Sequence, residues 1–169
     1  QVKANSRLSR ASGSTLIEVL VSLLVLSFGM LGMAGVQVVS LRGNQAAYFR
    51  TMATTYSVDI IERMRANISA VEGGGYDDVA GAATASCFAA VGCSDLQLAA
   101  QDILDWSATV AVGFPLGASV VCLDSTPTDG TAAANACDGA GSIYAIKLWW
   151  DVDRDGTADQ GFRTTFQPL

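Results

Sequence analysis

An apolar run from Leu16 to about Val39, interrupted by one charge at Glu18, constrains this chain more than any other feature. At 1.5 Å per helical residue, roughly 24 residues reach about 36 Å, enough to cross a hydrocarbon layer of about 30 Å. Residues 1–13 carry Lys3, Arg7 and Arg10 and no acid, a charge of +3, and they end on Gly13. A basic leader before the run and a long polar stretch after it orient the leader toward the cytoplasm and the rest toward the exported side. The chain opens on Gln1 rather than Met, so the true start is expected upstream.

A secretory signal is cleaved after its apolar region, at small residues. Here Gly13 precedes the run, so cleavage there leaves the apolar segment on the mature chain. A plain signal anchor has the same span and is the alternative. Glu18 separates the two readings. An acid near the edge of an apolar helix is costly and calls for a partner. Cleavage after Gly13 would create an α-amine at Ser14, one helical turn away, on this chain or on a neighbour.

Gly13 followed by Ser14-Thr15-Leu16-Ile17-Glu18 resembles the class III signal of type IV pilins and secretion pseudopilins. The resemblance implies that a prepilin peptidase cuts between Gly13 and Ser14 and methylates the new N-terminus at Ser14. It also implies that Glu18, at the fifth mature position, pairs with the N-terminus of an adjacent subunit. The family's usual residue after the glycine is Phe; Ser14 departs from it. Two further stretches, Ser27 to Gln37 and Asp59-Ile60-Ile61-Glu62-Arg63-Met64-Arg65-Ala66-Asn67, resemble the minor pilin family PilV. The likeness covers about residues 13 to 70. Its implied partners are other minor pilins, the major pilin, the prepilin peptidase and an inner-membrane assembly platform. The implied place is the inner membrane, N-terminus cytoplasmic and head periplasmic, and then a surface fibre.

Gly29, Gly32 and Gly35 recur every third residue. Small residues let helices approach closely in a membrane or a fibre core; a tolerated helix bend is the competing account. Leu41, Tyr48, Met52, Tyr56, Ile60, Met64 and Ile68 fall mostly four apart, one apolar stripe on a polar helix. Gly73-Gly74-Gly75 ends that pattern. A helix from about Thr15 to Ile68 would be roughly 80 Å long. The expected organisation is a leader (1–13), an apolar membrane or fibre-core helix (14–39), its amphipathic continuation (40–70) and a globular head (76–169).

In the head, Ser107–Gly113, Val120–Leu123, Ser142–Trp150 and Gly161–Gln167 read as strands. Within them Tyr144, Ile146, Leu148 and Trp150 share a face, as do Phe162, Thr164 and Phe166. Cys93 to Trp106 reads as a short helix, with Ser94 and Gln97 as a capping box. The fold class is α+β: a long N-terminal helix packed on a small antiparallel sheet. Cys87, Cys93, Cys122 and Cys137 all lie on the exported side, where an even count reads as two disulfides. Three pairings are open. Cys87–Cys93 and Cys122–Cys137 are favoured because each encloses a loop with little core of its own. Zinc is the competing use, and the chain has no histidine and no CxxC pair to support it.

Asp151-Val152-Asp153-Arg154-Asp155-Gly156-Thr157-Ala158-Asp159 places oxygens at positions 1, 3, 5 and 9. The Thr157 carbonyl stands at position 7 and Gly156 at the sharp turn. That is the ligand spacing of a calcium loop, but position 12 is Phe162 where a bidentate Glu belongs. An acidic turn between two strands explains the same residues. Asp77-Asp78, beside the glycine run, read as solvated loop.

Composition closes off other classes. With no histidine, every His-based triad or acid–base pair is excluded, and Gly73–Gly75 lacks the Lys-Ser/Thr of a phosphate loop. The chain carries −6, and −9 once the leader is set aside, which disfavours direct nucleic-acid binding. The expectation is a non-enzymatic minor pilin that primes assembly at or near a fibre tip. Retention of Glu18 favours a place below another subunit. A type II secretion pseudopilin is the runner-up. An adhesive head using an exposed Trp149 face and the acidic loop is the third reading.

Overall fold

The computed structural model describes residues 14–78 and 80–168. They divide into two compact units, with the boundary between Gln45 and Ala46.

The first unit is the N-terminal part of helix α1 (Ser14–Ala66). Its apolar residues occupy every face, so it has no stripe along which to pack. Side chains from Thr15 to Gln45 are all exposed. The Ser22 and Ser27 hydroxyls donate to the Glu18 and Leu23 carbonyls at 2.7 Å, which satisfies them within the helix. Among the described residues, α1 is the one helix long and apolar enough to cross a membrane. A Cβ at Gly29, Gly32 or Gly35 would meet nothing within 4 Å.

In the second unit the buried seam of α1 is Phe49, Ala53, Ser57, Ile60 and Met64. The expected stripe differs: Leu41, Tyr48 and Ile68 are exposed, while Met52 and Tyr56 flank the core. Four residues advance about 40° beyond one helical turn, so a run of fours winds off the packing face. The observed seam corrects that drift with one spacing of three. α1 stops at Ala66 rather than Ile68. Asn67 leaves helical geometry, and its side-chain amide donates to the Asp95 carbonyl at 2.8 Å. A short helix α2 (Ile68–Glu72) follows and ends at Gly73–Gly75, where Gly74 takes a left-handed φ of 74°.

Helix α3 (Asp95–Gly113) begins with the capping box, Ser94 accepting from the Gln97 amide and Gln97 from the Ser94 amide. It runs through Ser107–Gly113, where a strand was expected. Alternation of Ala108, Val110 and Val112 is the misleading signal. Val110 is fully buried and Val112 is 90 % exposed, because Ile103, Trp106 and Val110 form a helical seam at spacings of three and four. The helix ends where Phe114, preceding Pro115, is forced into extended geometry.

Strands β1 (Ala118–Leu123), β2 (Tyr144–Trp150) and β3 (Gln160–Phe166) form one antiparallel sheet in that order. β2 is central and buried along its whole length. One sheet face presents Val121, Tyr144, Ile146, Leu148, Trp150 and Phe166 to the core, together with the seams of α1 and α3. Phe114 stacks on Trp150 at 4.9 Å, and Phe49 meets Phe114 edge-on at 5.7 Å. The other face carries Val120, Cys122, Ala145, Lys147, Trp149 and Arg163, brought into register by the pairs Val120–Lys147, Cys122–Ala145 and Lys147–Arg163. The 124–143 connection covers this face. Trp149, whose exposed face the adhesive reading required, is therefore only 2 % exposed and serves packing. Opposite it stands Gly161, where a Cβ would come within 3.1 Å of the indole.

Candidate functional site

The N-terminal candidates lie at the very start of α1. Gly13 falls outside the described residues, and Ser14 is the first residue of the helix. Glu18 is exposed in the first turns, and no ion pair to it is found among the described residues. The segment 15–41 presents Leu16, Ile17, Phe28, Met33 and Val39 to the outside at 66–71 % exposure. A helix this apolar and this bare is soluble only in lipid or against other helices.

The aspartate loop connects β2 to β3. Asp151 is buried and accepts from the Arg154 amide at 2.6 Å and the Gly156 amide at 2.9 Å, one on each carboxylate oxygen. Burial opposes its charge, but the Gly156 and Arg154 N–H groups, together with contacts from Asp153 and the Asp155 backbone, hold the carboxyl below its usual range. Asp155 accepts from the Thr157 amide at 2.8 Å, and the Thr157 carbonyl accepts from the Asp159 amide at 3.0 Å. Gly156 takes a left-handed φ of 95°. Carboxylate oxygens of Asp151, Asp153 and Asp155 lie within 4.8 Å of one another. Asp159 is not in that group; its carboxylate touches Gln160 at 3.5 Å. Three of the four expected carboxylates converge, and the loop already satisfies its own turn.

The four cysteines form two disulfides, Cys87–Cys93 and Cys122–Cys137, with Cα separations of 4.7 and 6.1 Å. The first closes a small exposed loop around a 3-10 turn (Ala85–Phe88). The second ties the 124–143 connection to β1. Arg163 adds to that attachment by donating to the Asp129 and Gly130 carbonyls at 3.2 and 2.7 Å. Its guanidinium lies 5.8 Å from the Trp149 ring.

Two features went unread in the sequence. Lys147, in the apolar strand Ile146-Lys147-Leu148, is completely buried and pairs with Asp124 and Asp129. A lone cation inside an apolar run was the available signal. The second is a junction of α1, α2 and α3. Arg63 pairs with Asp59 at 3.2 Å and Asp102 at 3.3 Å, and the Tyr76 hydroxyl donates to Asp102 at 2.7 Å. Burial, then the bond to Asp102, pushes the Tyr76 hydroxyl far above a tyrosine's usual range. The Arg63 to Asn67 stretch, read as a family likeness and, at Met64, as part of the apolar stripe, thus ends α1 and anchors α3. Asp77 also departs from its expected solvated role. Its carboxylate accepts from the Leu123 amide at 2.7 Å, while the Asp78 amide donates to the Val121 carbonyl at 2.9 Å. Together they shield the free edge of β1.

Residues 8–34 match the family described as "Prokaryotic N-terminal methylation motif". The match covers the leader's end and the apolar helix, not the head, and it supports a type IV pilin- or pseudopilin-type protein. No curated protein and no solved structure matches the chain. The motif implies processing by a prepilin peptidase and assembly with other pilins. The bare apolar helix fits anchoring in the inner membrane before assembly.

Proposed function

We propose that this chain is a minor pilin of a type IV pilus, a structural subunit of the complex that primes assembly at or near the fibre tip. The observation that carries the reading is the methylation motif at 8–34 continued by an apolar helix whose side chains from Thr15 to Gln45 are all exposed. In this reading the peptidase cuts between Gly13 and Ser14, Ser14 is methylated, and Glu18 pairs with a neighbouring N-terminus. The head acts as a disulfide-stapled spacer and contact surface, and the protein is a structural subunit rather than an enzyme acting on other molecules. The likeness of Ser27–Gln37 and Asp59–Asn67 to the PilV family favours the pilus over a type II secretion pseudopilin. Burial of Trp149 weakens the adhesive reading that relied on it.

The test is mass spectrometry of N-terminal peptides from sheared surface fibres of the native bacterium. A methylated peptide starting at Ser14, scarce beside a major pilin, is the expected result. A cut form confined to the membrane would favour the secretion pseudopilin, and an uncut Gly13–Ser14 bond would reject both.

Convergence of Asp151, Asp153 and Asp155 supports a second, local reading: a weak calcium site completed by water. Like charges this close repel, and a hard cation relieves that repulsion. Isothermal titration of the detergent-solubilised chain with calcium should show one weak site that Asp153→Asn abolishes. Absence of heat at millimolar calcium would leave a plain turn.

A further inference from the structure

The covered face of the sheet holds a reactive constellation that the pilus reading does not use. Lys147 and Asp124 both have fully buried side chains. Lys147 Nζ lies 2.5 Å from Asp124 Oδ2, 3.0 Å from Asp129 Oδ1 and 2.9 Å from the Asn135 carbonyl. Asp124 Oδ2 is shut off from water and has this amine as its neighbour, so the two groups are held in direct contact. The other oxygen, Oδ1, accepts from the Thr126 amide at 2.9 Å, which fixes the carboxyl plane. Asp129 is itself positioned by the Thr126 hydroxyl at 2.8 Å. A nucleophile, a carboxyl carbon, a donor to one of its oxygens and a carboxylate beside the amine are all in place.

We propose that Lys147 and Asp124 condense to an intramolecular amide that cross-links β2 to the residue following β1. The step balances without any co-reactant. A proton first passes from the Lys147 ammonium to the Asp124 carboxylate, which leaves an amine and a carboxylic acid in contact as the reacting pair. The Nζ lone pair attacks Cγ of Asp124, forming the C–N bond. Negative charge developing on Oδ1 is met by the Thr126 N–H. Asp129 accepts a proton from Nζ and returns it to the Oδ2 hydroxyl, which leaves as water when its bond to Cγ breaks. One ammonium and one carboxylate become one amide and one water. Groups held this way react as if at roughly 10⁵ M or more, which drives a condensation that free amines and acids do not undergo. The buried product is shielded from hydrolysis. With Cys122–Cys137, it would fasten the 124–143 connection by two covalent links of different chemistry, one reducible and one not.

The experiment needs only the full-length wild-type chain, purified in detergent, reduced, alkylated and digested with trypsin for mass spectrometry. Acylated Lys147 resists trypsin. The expected product is one peptide spanning 66–154, uncut after Lys147 and lighter than its sequence by one water. Lys147→Arg and Asp124→Ala should restore the full mass. Asp129→Asn should slow cross-linking tenfold or more. Separate peptides 66–147 and 148–154 at their sequence masses would show an ordinary ion pair and overturn the proposal, whether or not the variants fold.

Discussion

From Thr15 to Gln45 every side chain of α1 is exposed, whereas from Phe49 onward the same helix fully buries Ala53, Ile60 and Met64. The first stretch is the more hydrophobic of the two and has no core; the second is mixed in composition and builds one. The difference shows that hydrophobicity alone does not make a core. A helix apolar on all faces has no preferred side and must find its partners outside the chain. A helix with one apolar seam can close against α3 and the sheet. Fluorescence offers a clean way to follow this, because all three tryptophans, Trp106, Trp149 and Trp150, lie in the second unit.

The largest test of the contrast is Trp106→Ala. Trp106 is 1 % exposed, and its indole N–H donates to the Tyr56 carbonyl at 2.8 Å. Its loss should cost about 3–5 kcal/mol, seen as a collapse of the urea midpoint followed by the remaining tryptophans. Next is the double substitution Cys122→Ser with Cys137→Ser, which should lower stability by about 2–4 kcal/mol through the freed loop. Ser94→Ala removes the α3 capping box and should cost about 1 kcal/mol in the same assay.

An alkaline titration sharpens the comparison further. The Tyr76 hydroxyl is held protonated in the folded state, so its contribution is complete below a free tyrosine's pKa of about 10 and is lost as pH rises beyond it. Urea midpoints should fall above that pH in the wild type and fall less in Tyr76→Phe. The smallest expected effect is the most telling. Leu24→Ala, in the bare segment, should leave the urea midpoint unchanged, and a shift would mean that the first unit does contribute to the core.

The contrast between the units was legible early, because an apolar run long enough to span a bilayer needs no tertiary information to be recognised. The capping box at Ser94 and Gln97 and strands β2 and β3 were also legible, since their signals are local. Alternation over 107–113 was not decisive, because seven residues fit a strand face and a helix seam alike until Val110 is seen beside Trp106. The stripe on α1 was right in kind and misplaced by one residue through much of its length, because a spacing of four drifts around a helix.

In the candidate site, sequence spacing could propose five calcium ligands but could not say that Asp159 lies outside the carboxylate cluster while the loop's own amides engage Asp151. By itself the sequence determined a membrane-length apolar helix, the methylation motif at its start, a cysteine-bearing head and an α+β class, all carried by contiguous residues. Only the tertiary structure decided that Trp149 is buried, that Asp77 guards a strand edge, and that Lys147 meets Asp124 and Asp129. Those contacts join residues far apart in the chain, and no local pattern encodes which distant side chain will cover a given face.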